Sequence, residues 1–273
     1  MCQRSRPSAP LGRTDENPVA ARRRLDAELV LRELTSSRTE AQHLIAANRV
    51  LVNGSVAAKS SRQVAPGDAL VVCGPPARFV GRGGEKLEGA LAYFGLDVTG
   101  LRALDAGAST GGFTDCLLQR GAREVVALDV GYGQLHERLG SDERVISMER
   151  TNARHISVAD IGGPVDVVVG DLSFISLALV IPALVSVCQP VASMVLLVKP
   201  QFEAGRSEVS KGRGIITDPV IHERVRVEVG HAFTESGCIV HDWTTSPITG
   251  ADGNIEFLVY ATAPMLQSIE TEQ

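Results

Sequence analysis

From Leu101 onward the apolar positions fall into short continuous runs, LRALDAG, EVVALDV, VDVVVGDLSF and SMVLLVKP, separated by stretches with helical spacing. Runs that are apolar at consecutive positions belong to strands covered on both faces, and their alternation with helices predicts an α/β fold with a doubly wound, mostly parallel sheet. RVISME reads as a further strand, and helices are expected from about Gly112, from about Ser176 and from Pro219 to Ser236. The last two β-type runs, CIVHDWTTSP and NIEFLVYAT, are joined by a glycine-rich turn and read as an antiparallel pair at the sheet edge.

The pattern before Gly74 is different. LDAELVLREL places Leu25, Leu29 and Leu31/Leu34 near one face of a helix, SSRTEAQHLIAANR follows as a second, and Ser37 with Glu40 fits a capping box. Short β runs then alternate with the turn chemistry of Asn53-Gly54 and Pro66-Gly67-Asp68, which makes a small α+β module. Gly74-Pro75-Pro76 breaks the chain. The expected layout is a disordered basic tail over 1–21, a module over 22–76, a linker over 77–84, the sheet domain over 85–264 and a tail over 265–273.

No apolar core lies in the first residues, so they are not expected to form a secretory signal. Leu172 to Val198 carries no charge and is long enough to span a bilayer. Pro182 and Pro190 interrupt it, and Ser186, Gln189 and Ser193 are polar, so a helix followed by a buried strand is the simpler expectation. The five cysteines are odd in number and contain no C-x-x-C, which supports neither a disulfide framework nor a metal site and fits a cytoplasmic protein.

Net charge is only −5, yet it is unevenly spread. Met1 to Lys86 holds 14 Lys and Arg against 8 Asp and Glu, a balance of +6, whereas the remainder holds 13 against 24, or −11. A polyanion contact, if there is one, is expected at the basic end, where charges could equally form a solvated face.

Asp105-Ala-Gly-Ala-Ser-Thr-Gly-Gly-Phe113 follows a predicted strand and opens a helix, so its glycines permit close approach of a ligand to the backbone. The next strand ends in Asp129, placed to accept the hydroxyls of a ribose. Those features fit an adenosine-bearing cofactor, either NAD or S-adenosylmethionine. Asp105 opens the turn and Asp115 sits in the first helical turn; near a pyrophosphate these carboxylates would repel, and near a sulfonium they attract, which favours S-adenosylmethionine. Further ionisable groups stand at strand ends, Asp171 in GDLSF, Lys199 in LVKPQFE and Glu256 in GNIEFLVY, with Lys86 in GRGGEKL before the sheet. A partly desolvated lysine such as Lys199 can act as a base.

SR-x-x-A-x-x-LI and V-x-VNG, in that order between Arg22 and about Cys73, resemble the S4 domain, a module of ribosomal proteins and RNA-modifying enzymes. The resemblance implies RNA-phosphate contacts by Arg32, Arg38 and Arg49, with Lys59 and Arg62 alongside. The four ionisable islands match in order the Lys, Asp, Lys, Glu pattern of FtsJ-like 2′-O-ribose methyltransferases. RGGEKL, DAGASTGGF, MERTNAR, GDLSFISL, VKPQFEAGR and SP-x-x-G-x-x-GNIEF resemble more narrowly the TlyA family, S4-bearing 16S/23S rRNA (cytidine-2′-O)-methyltransferases also labelled haemolysins. That resemblance implies a Rossmann-like methyltransferase sheet with an antiparallel terminal hairpin. It also implies Lys86, Asp171, Lys199 and Glu256 as the catalytic set, and Gly107, Ser109, Phe113, Asp129 and Asn152, beside Asp105, near S-adenosylmethionine. The implied partners are ribosomal RNA and ribosomal subunits, with no metal and no stable membrane association, and oligomeric state is left open. Arg78-Phe79-Val80 stands where some members carry Arg-x-Trp-Val, Gly81 where Ser is frequent and Ala251 where Pro is common. The competing readings are an RNA-binding protein with an inactive catalytic domain, an NAD-dependent oxidoreductase and a membrane-active haemolysin.

Overall fold

The structure is a computed structural model and describes residues 22–35, 38–74, 77–250 and 252–265. The expected tails and the Ser37 capping box lie outside those residues. The chain forms two compact units that divide at 75/76.

In the first unit, β1 (Arg23–Arg24) leads into α1 (Leu25–Leu31), and α2 (Arg38–Ala46) follows. β2 (Val50–Val52) pairs antiparallel with both β3 (Ser55–Val56) and β5 (Leu70–Val72), while β4 (Gln63–Val64) pairs with β1. Leu25, Leu29, Ala41, Ile45, Val50 and Val52 are the heart of its small core. The expected first helix ends three residues early. Glu33 takes a left-handed φ of +57° and Leu34 N–H bonds back to Leu29 O, so Leu31 and Leu34 point outward and only Leu25 and Leu29 of the expected face are buried.

The second unit is built on a seven-stranded sheet. Its strands are β6 (Arg102–Ala106), β7 (Glu124–Leu128), β8 (Val145–Met148), β9 (Val165–Gly170), β10 (Cys188–Val198), β11 (Ile239–Thr245) and β12 (Phe257–Thr262), in the order β11-β12-β10-β9-β6-β7-β8. From β10 to β8 every pairing is parallel, and β12 is antiparallel to both β10 and β11. α3 (Gly83–Phe94) and α4 (Gly112–Gln119) cover one face through Leu87, Leu91, Phe113 and Leu117. α6 (Ile181–Ser186) and α9 (Pro219–Glu235) cover the other through Ile181, Leu184, Val225, Val229 and Phe233. α5 (Glu137–Gly140), α7 (Pro200–Glu203) and α8 (Arg206–Lys211) are short.

The segment expected as a linker, 77–84, is part of this unit. Phe79 is buried in the α3/α4 core, the Val80 N–H donates to Asp115, and α3 starts at Gly83. The helix expected from Ser176 is instead a 3-10 turn, Leu177–Leu179, followed by the six residues of α6, because Pro182 can only occupy a first helical turn. The uncharged stretch 172–198 is thus a turn, a short helix and a sheet strand, and no helix among the described residues is long and apolar enough to cross a membrane.

Candidate active site

Lys86, Asp171, Lys199 and Glu256, far apart in sequence, meet at the rim where the parallel strands end. Asp171 is the first residue after β9, held by its own N–H donating to Ala106 O at the end of β6 (3.0 Å). Lys199 follows β10, with Pro200 opening α7 directly behind it. Glu256 precedes β12, and its carbonyl accepts from the Ser246 N–H. Lys86 lies in the first turns of α3, which reaches the sheet because glycines line the approach. A Cβ on Gly84 would collide with the Phe79 ring, and one on Gly112 would sit 2.9 Å from the Gly84 nitrogen.

The four side chains form an alternating line of charge. Glu256 Oε2 is 2.5 Å from Lys86 Nζ, Lys86 Nζ is 3.9 Å from Asp171 Oδ2, and Asp171 Oδ1 is 2.5 Å from Lys199 Nζ. Lys86, Lys199 and Glu256 are buried and Asp171 is partly exposed. Buried charges persist only when each has a partner of opposite sign, and here each one does. Gly250 makes room for the line, since a Cβ there would come within 2.6 Å of Glu256 Oε1.

Beside it runs the glycine turn between β6 and α4. Gly107 has φ +87°, and a Cβ would lie 2.8 Å from the Asp171 carbonyl oxygen, so the turn and the charged line are packed backbone to backbone. Asp129, after β7, accepts the Ser109 N–H on Oδ2 (2.8 Å) and the Gly131 N–H on Oδ1 (2.7 Å), and keeps free lone pairs on a half-buried carboxylate. Asp105 is fully buried. One oxygen accepts from Thr114 Oγ1 (2.6 Å), the other has no partner among the described residues, and burial, reinforced by the charges of Asp171 and Asp129, pushes its pKa up to about 7.

Other expected cofactor residues have structural duties. Phe113 is enclosed in the α3/α4 core, and Asn152 is exposed with its side-chain oxygen capping the turn Ala153–His155. Asp115, expected to face a sulfonium, instead accepts from Val80 N–H, Gln119 and Arg138 (2.7 Å).

Two neighbours escaped sequence reasoning although GDLSF contains both. Ser173 Oγ accepts from Lys199 Nζ (2.8 Å) and completes that ammonium's surroundings. Phe174 is 90 % exposed with φ +62°, its ring 4.9 Å from Phe202, which itself lies beneath Lys199 Nζ. A large aromatic ring held in solvent by a left-handed backbone is an exposed stacking surface at the mouth of the site.

In the first unit the expected RNA cations divide. Arg32 donates to Glu28 and to the carbonyls of Ala65, Pro66 and Asp68, and so ties α1 to the β4–β5 turn. Arg38 bonds buried Asp26 and Arg49 bonds Cys73 O. Lys59 and Arg62 are exposed, and their side chains make no hydrogen bond or ion pair among the described residues.

Comparison with known proteins agrees with this anatomy. Residues 79–263 match the FtsJ-like methyltransferase family and residues 23–70 the S4 domain. A 16S/23S rRNA (cytidine-2′-O)-methyltransferase TlyA of Mycobacterium tuberculosis is 49% identical over 89% of this chain and 90% of its own. Hemolysin A of Brachyspira hyodysenteriae is 41% identical over 87% of this chain and 98% of its own. A solved structure from Streptococcus thermophilus, described as a hemolysin candidate, superposes with a TM-score of 0.73 at 39% identity and covers 92% of both chains. The chain is an enzyme of the S4-bearing TlyA family of FtsJ-like methyltransferases.

Proposed function

We propose that this enzyme methylates the ribose 2′-oxygen of cytidines in 16S and 23S ribosomal RNA, with S-adenosylmethionine as donor. The observation that carries the reading is the alternating line Glu256, Lys86, Asp171, Lys199 set against the glycine turn at the open rim of the sheet. The substrate rests on what the M. tuberculosis relative is named for and on the chemistry, because a 2′-hydroxyl exists on RNA and not on DNA. A ribosomal RNA substrate supports a cytoplasmic location.

The residues fit the cofactor. Asp105, Asp129 and Asp171 converge around the turn, and the buried oxygen of Asp105 has no partner. That acidic surround welcomes a sulfonium and an ammonium and repels the pyrophosphate of a dinucleotide, which disfavours the oxidoreductase alternative. When bound, S-adenosylmethionine supplies an electrophilic methyl group on a positively charged sulfur. Asp129 would hold the ribose hydroxyls, the Gly107–Ser109 backbone would lie along the ligand, and Asp105 would face its positive charge.

For the transfer, Lys199 would take or orient the 2′-hydroxyl proton while the bound donor supplies the methyl group. Asp171 holds Lys199 in place, and the Lys86–Glu256 pair fixes Asp171 from the other side so that alignment supplies much of the rate. Phe174 offers its exposed ring to the base of the target nucleotide. An intact line of four argues against a binding protein with a dead catalytic domain.

The test is transfer of radiolabelled methyl to separated 30S and 50S subunits, wild type beside Lys199→Ala. Label on the 2′-oxygen of cytidine from both subunits, lost in the variant, is the expected result. Label on a base, or equal labelling by both proteins, would overturn the reading.

A further inference from the structure

Between Lys199 and α9 the chain runs through a segment that the reaction scheme does not use, GRSEVSKGRGIITD, Gly205 to Asp218. It holds Arg206, Lys211 and Arg213 against Glu208 and Asp218. Asp218 caps α9, and Glu208 is taken up by Arg224 (2.6 Å) and by the Gly205 N–H. By sequence the segment's formal balance is +1.

Its tip is a tight reversal. Gly212 comes so near the Ile215 carbonyl that any Cβ would collide with it, and Gly214 has φ +91°. Between them Arg213 takes φ +52°, a conformation that costs a non-glycine residue free energy and persists only where its surroundings enforce it. The Arg213 side chain is exposed and makes no hydrogen bond or ion pair among the described residues.

The reversal is closed by backbone bonds, Gly214 N–H to Val209 O (2.9 Å) and Ile215 N–H to Gly212 O (2.9 Å), and side chains fasten it to the rest of the unit. Asn254, buried, accepts the Ile216 N–H on Oδ1 (2.9 Å) and donates from Nδ2 to Gly214 O (2.9 Å), as a neighbouring strand would. His222 of α9 bonds the Ile216 carbonyl from the opposite side (3.0 Å). Asn254 stands two residues before Glu256, and the segment itself begins six residues after Lys199. The loop is thus fastened through Asn254 to the segment that leads into Glu256, and in sequence it follows Lys199.

We propose that Asn254 is a positioning residue that fastens the Gly212–Ile216 loop to the Glu256 strand, so that Arg213 meets a phosphate of the substrate RNA beside the reaction centre. This inference rests on the RNA-methylating reading above and deepens it. Arg213 contributes a sequence-independent charge contact near the chemistry, and Asn254 acts on RNA through it.

The experiment measures filter binding of end-labelled, deproteinised 16S and 23S rRNA by the full chain across a salt series, with methyl-transfer kinetics on subunits alongside. Arg213→Ala is expected to weaken RNA binding about 3–10-fold, to lower the slope of log K against log salt by about 1, and to act in KM rather than kcat. Asn254→Ala is expected to reproduce both changes, and to speed trypsin cleavage after Lys211 and Arg213 while the rest of the chain stays resistant. The double variant should bind no more weakly than Asn254→Ala alone, since both remove one contact. Asn254→Asp keeps the acceptor for Ile216, loses the donor to Gly214, and should fall between; it carries the test if Asn254→Ala fails to fold. An unchanged salt slope in Arg213→Ala, additive losses in the double variant, or cleavage after Arg213 no faster in the Asn254 variants would each overturn the proposal. Wild-type protein that binds rRNA but transfers no methyl would defeat the functional reading, while the binding arm still decides this one.

Discussion

The two units use ion pairs in opposite ways. In the first, buried carboxylates are paired with arginines that lie at the surface: Asp26 with Arg24 and Arg38, Glu28 with Arg32 and Arg23. In the second, at the sheet rim, both members of the Lys86–Glu256 pair are buried and the next charge in line is shared. The first arrangement is scaffolding, because a small core needs its cations turned back onto its own backbone. The second keeps ionic groups where water is scarce, which strengthens their mutual fields and fits them for chemistry. A basic count alone therefore says little about RNA contact, since much of the positive charge of the small unit is already committed internally.

The sharpest break of this comparison is at the rim. Lys199→Ala should lower methyl transfer by about 10²–10⁴-fold while S-adenosylhomocysteine still binds. Adding Lys86→Ala should cost far less than the product of the two single losses, because the line works as a unit. Subunit-labelling rates read both.

In the first unit the expected loss is of stability. Asp26→Ala should destabilise it by about 1–2 kcal/mol, a surface-facing network being worth less than a sealed pair. The Arg24 guanidinium, aided by Gln42 and Arg38, holds the Asp26 carboxyl well below the usual range. A native pKa below the unfolded one means stability present above the unfolded value, near pH 4, and lost as pH falls further. Acid titration of the unit's circular dichroism should show that loss in wild type and not in Asp26→Ala.

At the cofactor turn the sign reverses. Asp105 is raised to about 7 by burial, then by Asp171 and Asp129, and Thr114 opposes the shift. Its protonated form suits the folded state, so its stabilising contribution is complete below pH 4 and fades as pH climbs to 7. A cationic ligand prefers the carboxylate, so affinity for S-adenosylmethionine should rise by up to about tenfold per pH unit between pH 5.5 and 7. Calorimetry in two buffers should show proton release on binding; a flat profile would remove Asp105 from the cofactor's surroundings.

The smallest effects concern surface cations. Lys59→Ala and Arg62→Ala should each lower the salt slope of RNA binding by about 1 with little change in melting temperature, whereas Arg32→Ala should lower the melting temperature.

Much of this was readable beforehand because the period of apolar residues reports burial directly. The strand series, α9 and the antiparallel final pair follow from it, and the family motifs brought out the Lys86, Asp171, Lys199, Glu256 set. What escaped depends on direction rather than type. Whether Arg32 points at RNA or at Ala65 O, whether Asp115 faces a cofactor or Arg138, and whether Phe174 is core or surface are settled by backbone turns such as the left-handed ones at Glu33 and Phe174. The helix expected from about Ser176 was legible as a helix, and what escaped is its late start: a 3-10 turn at Leu177–Leu179 precedes α6, which carries Pro182 in its first turn.

The pairing of β12 with β10 places Val198 opposite Phe257. Because the two strands run head to tail, the entrance of one coincides with the exit of the other, so Glu256 is delivered to the edge where Lys199 emerges. Had the last strand followed the direction of its neighbours, the same glutamate would begin at the far side of the sheet, six paired residues or roughly 20 Å from Lys86. Reversal of a single strand thus adds a fourth charge to a rim that otherwise receives Asp171 and Lys199 from the ends of parallel strands and Lys86 from α3, and leaves the chemistry indifferent to the length of connection before it.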